Sequence, residues 1–384
     1  MKVQWLICAA VLAMWASVAQ GATPSFQGLG HFVGSYPGSF AYGISADGSV
    51  VVGTSYVDYS FNRVAFRWTH SSGMVSLGDL PGGAICATAF AASIDGSVIV
   101  GESVSGTYST GMEAFRWTEV TGMVGLGTLG GNDSRAHAVS ADGSVVVGRS
   151  YTLSEGAAFR WTATSGMSDI GNLGGVEGAP PAPYSCAYGV SADGSVVVGG
   201  SYSPSGFEAF TYSETTGMVG RGDLAGGDFH SYFRGVSADG RVAVGFSYSA
   251  FGGEAVRWTQ DTGMVGLGSL AGGQFYGDAL AVSGDGSVVV GVGRESSSSE
   301  YQAFMWDETH GMRNLQSVLV GYGLDLTGWT LSEAPGISAD GLTIVGFGWN
   351  PDGNREAWMA TLPEPATLSL LALGGLALIR RRRK

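Results

Sequence analysis

The sequence predicts an all-β fold that is built from a repeated unit of short strands. The stretch SADGSVVVG begins at Ser45 and returns unchanged at Ser140 and Ser191. Four looser copies begin at Ser93, Ser237, Ser283 and Ser338. An Asp-Gly pair between two apolar runs is a strong hairpin signal, because Asp tolerates left-handed geometry and Gly adopts positive φ without steric cost. The copies therefore indicate repeats with a period of about 47 residues.

Each unit contains four short apolar runs that are separated by turn signals. In the first unit the runs are 41–45, 49–53, 65–69 and 74–80. The second run is apolar on both faces, as expected for a strand in the middle of a sheet that is covered on both sides. Four strands at this period are typical of a propeller blade, whereas a parallel β-helix needs shorter coils and a helical solenoid needs a 3.6-residue period. The sequence predicts a seven-bladed β-propeller of four-stranded blades over residues 23–362.

Two further patterns support this fold. The first run has one face of small residues in nearly every copy, such as Ala41 and Gly43, which predicts crowding of the innermost strands. The third run carries an aromatic residue that is predicted to fill the wedge between neighbouring blades. This series comprises Trp68, Trp117, Trp161, Tyr212, Trp258, Trp306 and Trp358.

Closure of the ring depends on the N-terminal segment. The seventh unit has only three runs before the chain reaches its C-terminal tail. Residues 26–32, FQGLGHF, are similar to a fourth run such as MVGLGTL from Met123. We therefore expect residues 26–32 to supply the outer strand of the last blade, which leaves no open sheet edge.

The N-terminus has the pattern of a secretory signal peptide. Lys2 precedes an apolar run from Trp5 to Ala19 that ends in small residues, so residues 1–22 are predicted to be removed. A retained membrane anchor is the alternative. Cys8 lies inside this apolar run and is therefore in the wrong place for a lipoprotein cysteine.

The C-terminus, residues 363–384, has an ordered three-part pattern. Pro363, Glu364 and Pro365 come first, an apolar stretch follows at 366–379, and a cluster of basic residues ends the chain. Fourteen helical residues span about 21 Å, which is short of the roughly 30 Å hydrocarbon core, so the stretch suits a transient stop. The arginines that would hold this stop are Arg380, Arg381, Arg382 and Arg383.

This order closely resembles the PEP-CTERM sorting signal of Gram-negative bacteria that make exopolysaccharide. Leu362 precedes Pro363, where valine is commoner in the family. The resemblance implies an exosortase as processing partner, removal of the tail near residues 363–365 and transient contact with the inner membrane through the C-terminal helix. It also implies a final location in the cell envelope or outside the cell. A simple C-terminal membrane anchor is the alternative.

The repeat itself resembles the HAF-type extracellular repeats. AFRWT, GMVGLGTLGG and VSADGSVVVG match that pattern in five or six copies, and residues 328–346 are similar to the family's last unit. The resemblance implies secretion and a repeat architecture. It implies no activity, because the family is defined by its repeats.

Composition limits the partners. The net charge is −13, and six of the 19 basic residues lie at the two extreme ends, so the body carries about −19. A nucleic acid is therefore not expected as a partner, because phosphate binding needs a basic surface. Neutral glycans, cations and other proteins remain candidate partners. Cys86 and Cys186 precede repeats that are not neighbours, which argues against a disulfide without excluding one.

Three sets of residues are candidates for chemistry. The repeated turn aspartate is interpreted as structural, since calcium loops need several oxygen ligands close together. The arginines at one position of the third run, such as Arg67 and Arg160, could bind an anionic glycan but are expected to stack on aromatic rings or pair with carboxylates. The five histidines show no metal-ligand spacing, and no catalytic or cofactor motif occurs. No metal site or cofactor is predicted.

The third set occupies one position of the first run and differs from unit to unit. We expect Tyr42, Phe90, His137, Tyr188 and Arg234 to line a rim at the central channel, with Leu280 and Pro335 in the two remaining units. Different residue types at one position of an otherwise constant repeat are typical of a binding rim, and equally of an unimportant loop.

Two functions compete. The first is a secreted surface or exopolysaccharide-matrix protein that binds glycan or protein, or is structural, without catalysis. The second is a polysaccharide hydrolase or lyase that uses the central funnel, with Asp325 and Glu333 as candidate acids. Its candidate loops are 176–185, 294–301 and 316–333, of which only the last is long, and that one is mostly apolar. Low charge density, near-identical units and the missing catalytic motif favour the first.

Overall fold

The computed structural model describes residues 23–364, except residues 35, 59, 61, 108–110, 175–183, 271–275 and 295–299. The predicted signal peptide, Pro365, and the predicted apolar helix with its arginine cluster lie outside the described residues.

The described residues form 28 β-strands and one α-helix. In chain order the strands are β1 (Ser25–Gly28), β2 (Ser39–Ile44), β3 (Val51–Tyr56), β4 (Arg63–Thr69), β5 (Gly73–Ser76), β6 (Ala87–Ala92), β7 (Val98–Val104), β8 (Met112–Thr118), β9 (Gly122–Gly125), β10 (Ser134–Val139), β11 (Val145–Tyr151), β12 (Gly156–Thr162), β13 (Gly166–Asp169), β14 (Ser185–Val190), β15 (Val197–Ser203), β16 (Gly206–Ser213), β17 (Gly217–Gly220), β18 (Gly226–Val236), β19 (Val242–Ser249), β20 (Gly252–Thr259), β21 (Gly263–Gly266), β22 (Gly277–Val282), β23 (Val288–Arg294), β24 (Tyr301–Asp307), β25 (Gly311–Asn314), β26 (Thr330–Ile337), β27 (Thr343–Trp349) and β28 (Arg355–Thr361). The helix α1 (Leu315–Gly321) lies between β25 and β26.

The strands pair into mostly four-stranded antiparallel sheets. Four sheets follow the chain directly, namely β2–β5, β6–β9, β10–β13 and β22–β25, and a fifth has the order β1-β28-β27-β26. The remaining eight strands form one sheet, in which the groups β14–β17 and β18–β21 are joined by a parallel contact of Phe207 with His230. The prediction of an all-β fold from four-stranded units is confirmed.

The repeated aspartates form turns, as predicted. In the third unit Asp142 Oδ1 accepts hydrogen bonds from Ser140 Oγ (2.7 Å) and from the Ser144 N–H (3.0 Å). The Val145 N–H donates to Ser140 Oγ (2.9 Å), and Gly143 adopts φ 72°, which favours glycine. The aspartate thus satisfies the donors of a tight turn between the first and second strands.

The turn aspartates give a testable pH dependence. Hydrogen bonds from Ser191 Oγ and then from Ser195 lower the pKa of Asp193 to about 2. A lowered folded-state pKa contributes stability above the unfolded value of about 3.9, and this contribution is lost as the pH falls towards 2. We expect Asp193→Asn to lower the urea midpoint at pH 6 and to approach the parent at pH 2. If the urea midpoints of Asp193→Asn and the parent differ equally at both pH values, this role is contradicted. The same conclusion follows if the exposed control Glu119→Gln lowers the midpoint in the same way.

Backbone hydrogen bonds link neighbouring turns in a cycle. The Ile94 N–H donates to Ala141 O (2.9 Å), and the same bond recurs from turn to turn until the Ala339 N–H donates to Ala46 O (2.9 Å). The Asp47 N–H then donates to Ile94 O (3.0 Å). The first strands of successive units are also in contact, and β26 contacts β2.

The hydrophobic core lies between neighbouring sheets. One cluster joins Val52 and Ala65 of the first unit to Ala89 and Phe115 of the second. The third-strand phenylalanines are fully buried at these interfaces, and they are Phe66, Phe115, Phe159, Phe210 and Phe304.

The predicted aromatic series is wrong at its last member. Trp358 lies opposite Gly346 on β27, as Phe66 lies opposite Gly53 on β3. Trp358 therefore occupies the phenylalanine position, and Ala360 stands where the other units have tryptophan or tyrosine.

The N-terminal segment forms the edge of the last sheet. Strand β1 pairs with β28 antiparallel, with Gln27 opposite Met359. The strand covers 25–28 and is shorter than the predicted 26–32, but the chain stays attached beyond it. The Leu29 N–H donates to Ala357 O (2.8 Å), as the Leu126 N–H donates to Ala114 O in the second unit (2.8 Å).

A buried serine joins this edge strand to the first unit. Ser39 Oγ donates to Gly30 O (2.6 Å) and accepts from the Ala357 N–H (2.9 Å). Ser134 forms the same two bonds at the interface between the second and third units. Its Oγ donates to Gly127 O (2.7 Å) and accepts from the Ala114 N–H (2.9 Å). The contact between the last and first units therefore copies an ordinary contact between neighbours.

The helix α1 replaces part of a predicted loop. Residues 316–333 were expected to form a loop, but Leu315–Gly321 is helical, with the Asn314 side chain accepting from the Ser317 N–H (3.0 Å). Leu315 and Leu319 are fully buried in a cluster that joins the β22–β25 sheet to the last sheet. No helix among the described residues has the length and apolar character needed to cross a membrane.

Candidate functional site

Six of the seven predicted rim residues are extra residues in β-bulges. In β2 and β3, Ala41 lies opposite Gly53 and Gly43 lies opposite Val52, so Tyr42 has no partner on the neighbouring strand. The same shift occurs at Phe90, His137, Tyr188, Arg234 and Leu280. Because a bulge redirects the side chain of its extra residue, the repeated bulge gives each unit one position that faces away from its own sheet.

These side chains meet in one cavity of about 340 Å³. It is lined by Tyr42, Phe90, His137, Tyr188, Arg234, Leu280, Glu333 and Pro335. A smaller space of about 230 Å³ is lined by the same bulge positions and by residues that directly follow them in each strand. The structure thus brings together all five predicted rim residues. Of the candidate acids, Glu333 lines the cavity, whereas Asp325 is exposed elsewhere.

Four adjacent rings form an aromatic arc, which we define as Tyr42, Phe90, His137 and Tyr188. Neighbouring ring centroids are 5.7, 5.8 and 5.2 Å apart in that order. The last pair is stacked with an interplanar angle of 4°, and the Arg234 guanidinium lies 5.0 Å from the Tyr188 centroid. The arc thus lines the cavity with four neighbouring aromatic side chains, whose ring planes differ in orientation.

His137 is neutral. Burial lowers its pKa to about 3, and its Nδ1 lies 3.1 Å from Ala187 O. Nδ1 therefore carries the proton and donates, which leaves Nε2 as an acceptor. Burial also raises the pKa of the neighbouring Cys186 to about 11, so this buried side chain is a thiol rather than a nucleophilic thiolate. Cys86 and Cys186 are both free.

Arg234 has a carboxylate partner. Its Nε lies 3.3 Å from Asp278 Oδ2, which also accepts a hydrogen bond from the Tyr232 hydroxyl (2.9 Å). Burial alone would lower the pKa of Arg234, but the Asp278 carboxylate and nearby phenols raise it above its usual value. Burial raises the pKa of Asp278, against the effect of Arg234. The pair contributes no net charge to the cavity.

A charged network joins the first, second and third units. Glu102 forms salt bridges with Arg63 (3.2 Å) and Arg135 (3.1 Å), and Asp133 forms them with Arg135 (3.5 Å) and Arg149 (3.1 Å). The opposite charges thus pair with one another, although Glu102 Oε2 and Arg135 Nε make no hydrogen bond within the described residues. Within the described residues, no group of three or more His, Cys, Asp or Glu side chains could hold a metal ion.

A second cavity, of about 540 Å³, lies where the fourth unit departs from the repeat. Thr211 stands at the position of the third-strand arginine, and Arg221 donates to Thr211 Oγ1 (2.9 and 2.6 Å). The Arg221 guanidinium lies 4.6 Å from the Trp258 centroid, as Arg67 lies 5.9 Å from that of Trp117. Arg221 therefore takes the place of the missing third-strand arginine. We interpret this cavity as a consequence of that structural replacement and not as a binding site.

The predicted processing site lies directly after the last strand. Leu362 is held by a hydrogen bond from its N–H to Leu342 O (2.7 Å). Pro363 is half-buried and Glu364 is exposed.

Residues 361–384 match the family model of the PEP-CTERM protein-sorting motif. This chain carries that sorting motif. The motif indicates that the protein is secreted, processed by an exosortase and sorted to the cell envelope or the outside of the cell. No curated protein matches the chain in sequence.

Solved structures show a propeller-like fold. An oligogalacturonate lyase from Vibrio parahaemolyticus has a TM-score of 0.54 at 13% identity, covering 90% of this chain and 98% of that one. The β-propeller domain of the trilobed protease from Pyrococcus furiosus, reported with an open velcro topology, has a TM-score of 0.50 at 9% identity, covering 88% and 94%. TolB from Acinetobacter baumannii has a TM-score of 0.46 at 16% identity, covering 83% and 81%. At these identities the likeness concerns the fold alone.

Proposed function

We propose that the sorted protein is a closed, seven-bladed, HAF-type extracellular propeller in which β1 is the outer strand of the last blade. The proposal is supported by the cycle of turn hydrogen bonds, which returns from Ala339 to Ala46, and by the Ser39 contact at the seam. A ring closed in this way is rigid, so the loops and bulges at its centre keep fixed positions.

The ring acts as a non-catalytic binding module, and the ligand of the rim cavity is a glycan. One observation carries this proposal: near-identical units differ at the bulge positions, and these positions share one cavity. A purely structural ring needs no aromatic arc there, whereas aromatic faces stack on the apolar C–H faces of sugars. The acidic body argues against polyanionic ligands.

Loss of one ring of the arc is expected to weaken binding. Tyr188→Ala removes the stacking partner of His137 and one π-face of the cavity. We expect about a tenfold weaker affinity for a glycan selected on an array, because an aromatic contact contributes about 0.5–1.5 kcal/mol beyond its buried area. Calorimetry of the exported protein measures this change.

Tyr322→Ala provides the matched control, since that tyrosine is exposed beside α1 and away from the cavity. Equal affinities of parent and Tyr188→Ala would contradict the assignment of the site. Binding of a surface protein and of no glycan would show that the ligand is a protein.

A second candidate is a polysaccharide hydrolase or lyase. It is favoured by one observation, namely that Glu333 lines the cavity and that burial raises its pKa, as a general acid requires. A reducing-sugar assay with the native exopolysaccharide tests it. Turnover that Glu333→Gln abolishes would establish this function over the first.

A further inference from the structure

The cavity lining contains one acidic side chain, Glu333. Its lining contains two charged residues, Arg234 and Glu333, and His137 is neutral. Arg234 is paired with Asp278, whereas Glu333 forms no salt bridge within the part of the chain that the structure describes. The lining therefore combines π-faces with one unpaired carboxylate.

Arg355 is the cation with the largest effect on Glu333, but the two side chains form no salt bridge among the described residues. The Arg355 guanidinium donates to Ser332 Oγ (2.9 Å) and lies 4.3 Å from the Trp349 centroid. Burial raises the pKa of Glu333 despite the opposing effects of Arg355 and Arg234, and Asp278 adds to the rise. A bound cation would supply the missing charge compensation.

Glu333 lies beside the end of the aromatic arc. Burial raises the pKa of the Tyr42 hydroxyl, and the nearby Tyr56 and Glu333 add to this rise. The Tyr42 ring also contacts Phe347, which lies opposite Glu333 across β26 and β27, with 6.0 Å between the ring centroids. A ligand stacked on the arc at Tyr42 is thus close to the carboxylate.

A carboxylate beside aromatic faces selects a cation. Ring faces attract ammonium groups through the ring quadrupole, and the carboxylate adds a charge-assisted hydrogen bond. A uronic acid would instead meet the like charge of Glu333, and the one guanidinium in the lining already has a carboxylate partner. The net charge of −13 also attracts cations over longer distances.

We propose that the rim cavity recognises an amino sugar, whose protonated amine binds between the Glu333 carboxylate and the aromatic arc. This inference rests on the proposed glycan-binding function and names its ligand class. The sugar ring stacks on the arc, and the amine determines the specificity.

The test compares four oligosaccharides of equal length by calorimetry on the exported protein, near neutral pH and at about 0.15 M salt to screen nonspecific attraction. They are oligomers of glucosamine, N-acetylglucosamine, glucose and galacturonic acid. We expect the glucosamine oligomer to bind at least about tenfold tighter than the neutral ones, as a charge-assisted contact provides. Galacturonate should bind weakest.

Two variants separate specific from general charge effects. Glu333→Gln should abolish the preference for glucosamine, and a thermal transition like that of the parent shows that the variant is folded. Glu119→Gln removes the same charge at an exposed position outside the cavity and should preserve the preference.

The outcomes distinguish the two proposals. A preference that persists in Glu333→Gln, equal binding of all oligomers, or tightest binding of galacturonate would overturn the amino-sugar inference and leave glycan binding in place. Absence of binding to every oligomer and to the native exopolysaccharide would overturn the proposed function itself.

Discussion

Deletion of residues 24–33 is expected to unfold the exported protein. The deletion removes β1 and leaves the edge of β28 open, although all 27 later strands keep their sequences. Leu29, 6% exposed, packs in one cluster with Ala357 and Met359 of the last unit and Phe66 of the first, and Phe26 packs against Trp358 in the last interface. Burying such side chains contributes about 1.5–3 kcal/mol each.

This loss is large against the total stability of a domain, which is about 5–15 kcal/mol. The ladder of β1 with β28 and the hydrogen bond from Ser39 Oγ to Gly30 O are lost in addition. We expect the deletion variant to lack a cooperative thermal transition, measured by circular dichroism and calorimetry.

Two point variants grade the effect. Leu29→Ala should destabilise by about 2–5 kcal/mol, as for other buried leucines. His31→Ala should leave the transition unchanged, because that side chain is exposed just beyond β1. A deletion variant that melts like the parent would show that the N-terminal segment does not hold the ring together.

Gly148→Val is expected to prevent folding or to lower the free energy of unfolding by more than about 4 kcal/mol. A Cβ at position 148 would lie 1.9 Å from Arg135 O and 2.9 Å from the Phe159 ring. The first atom is backbone in the paired strand β10, and the ring is fully buried, so neither can move away. The last letter of the repeated stretch SADGSVVVG is thus fixed by the close approach of a phenylalanine and a neighbouring strand.

Gly321→Ala is the matched control for this variant. A Cβ at position 321 would meet nothing within 4 Å, and the residue has no positive φ. Its stability should equal or slightly exceed that of the parent, because alanine has the better helix propensity. Similar denaturation midpoints for Gly148→Val and the parent would contradict the account of the interfaces.

The strands and turns could be predicted from the sequence because their causes are local. Asp142 and Ser140 lie within one turn and bond to each other, so their spacing in the sequence carries the geometry. The edge strand was predictable for a different reason. Residues 26–32 resemble a fourth run, and the last unit lacked one.

The rim positions were predictable because the repeat provides an internal register. Each of the six bulged residues precedes its turn by the same number of residues, so aligning the turns also aligned the rim. The bulge itself was not predictable, because it depends on how β2 pairs with β3 and not on any residue type at Tyr42.

The last unit was predicted least well because it breaks the repeat. Strand β26 has two register shifts, which place Glu333 in the cavity together with Pro335. The helix α1 was missed, although Asn314 before an apolar run is a helix-start signal. Trp358 was assigned to the wrong position because its unit has Ala360 where the others have tryptophan or tyrosine.

Amide hydrogen exchange at Leu29 tests closure of the ring most directly. Its N–H donates to Ala357 O at 2.8 Å, and the N–H of Leu126 makes the equivalent bond to Ala114 O at 2.8 Å inside an ordinary unit. A closed ring predicts that both amides exchange slowly, with similar protection. Rapid exchange at Leu29 beside a protected Leu126 would show that the seam is open.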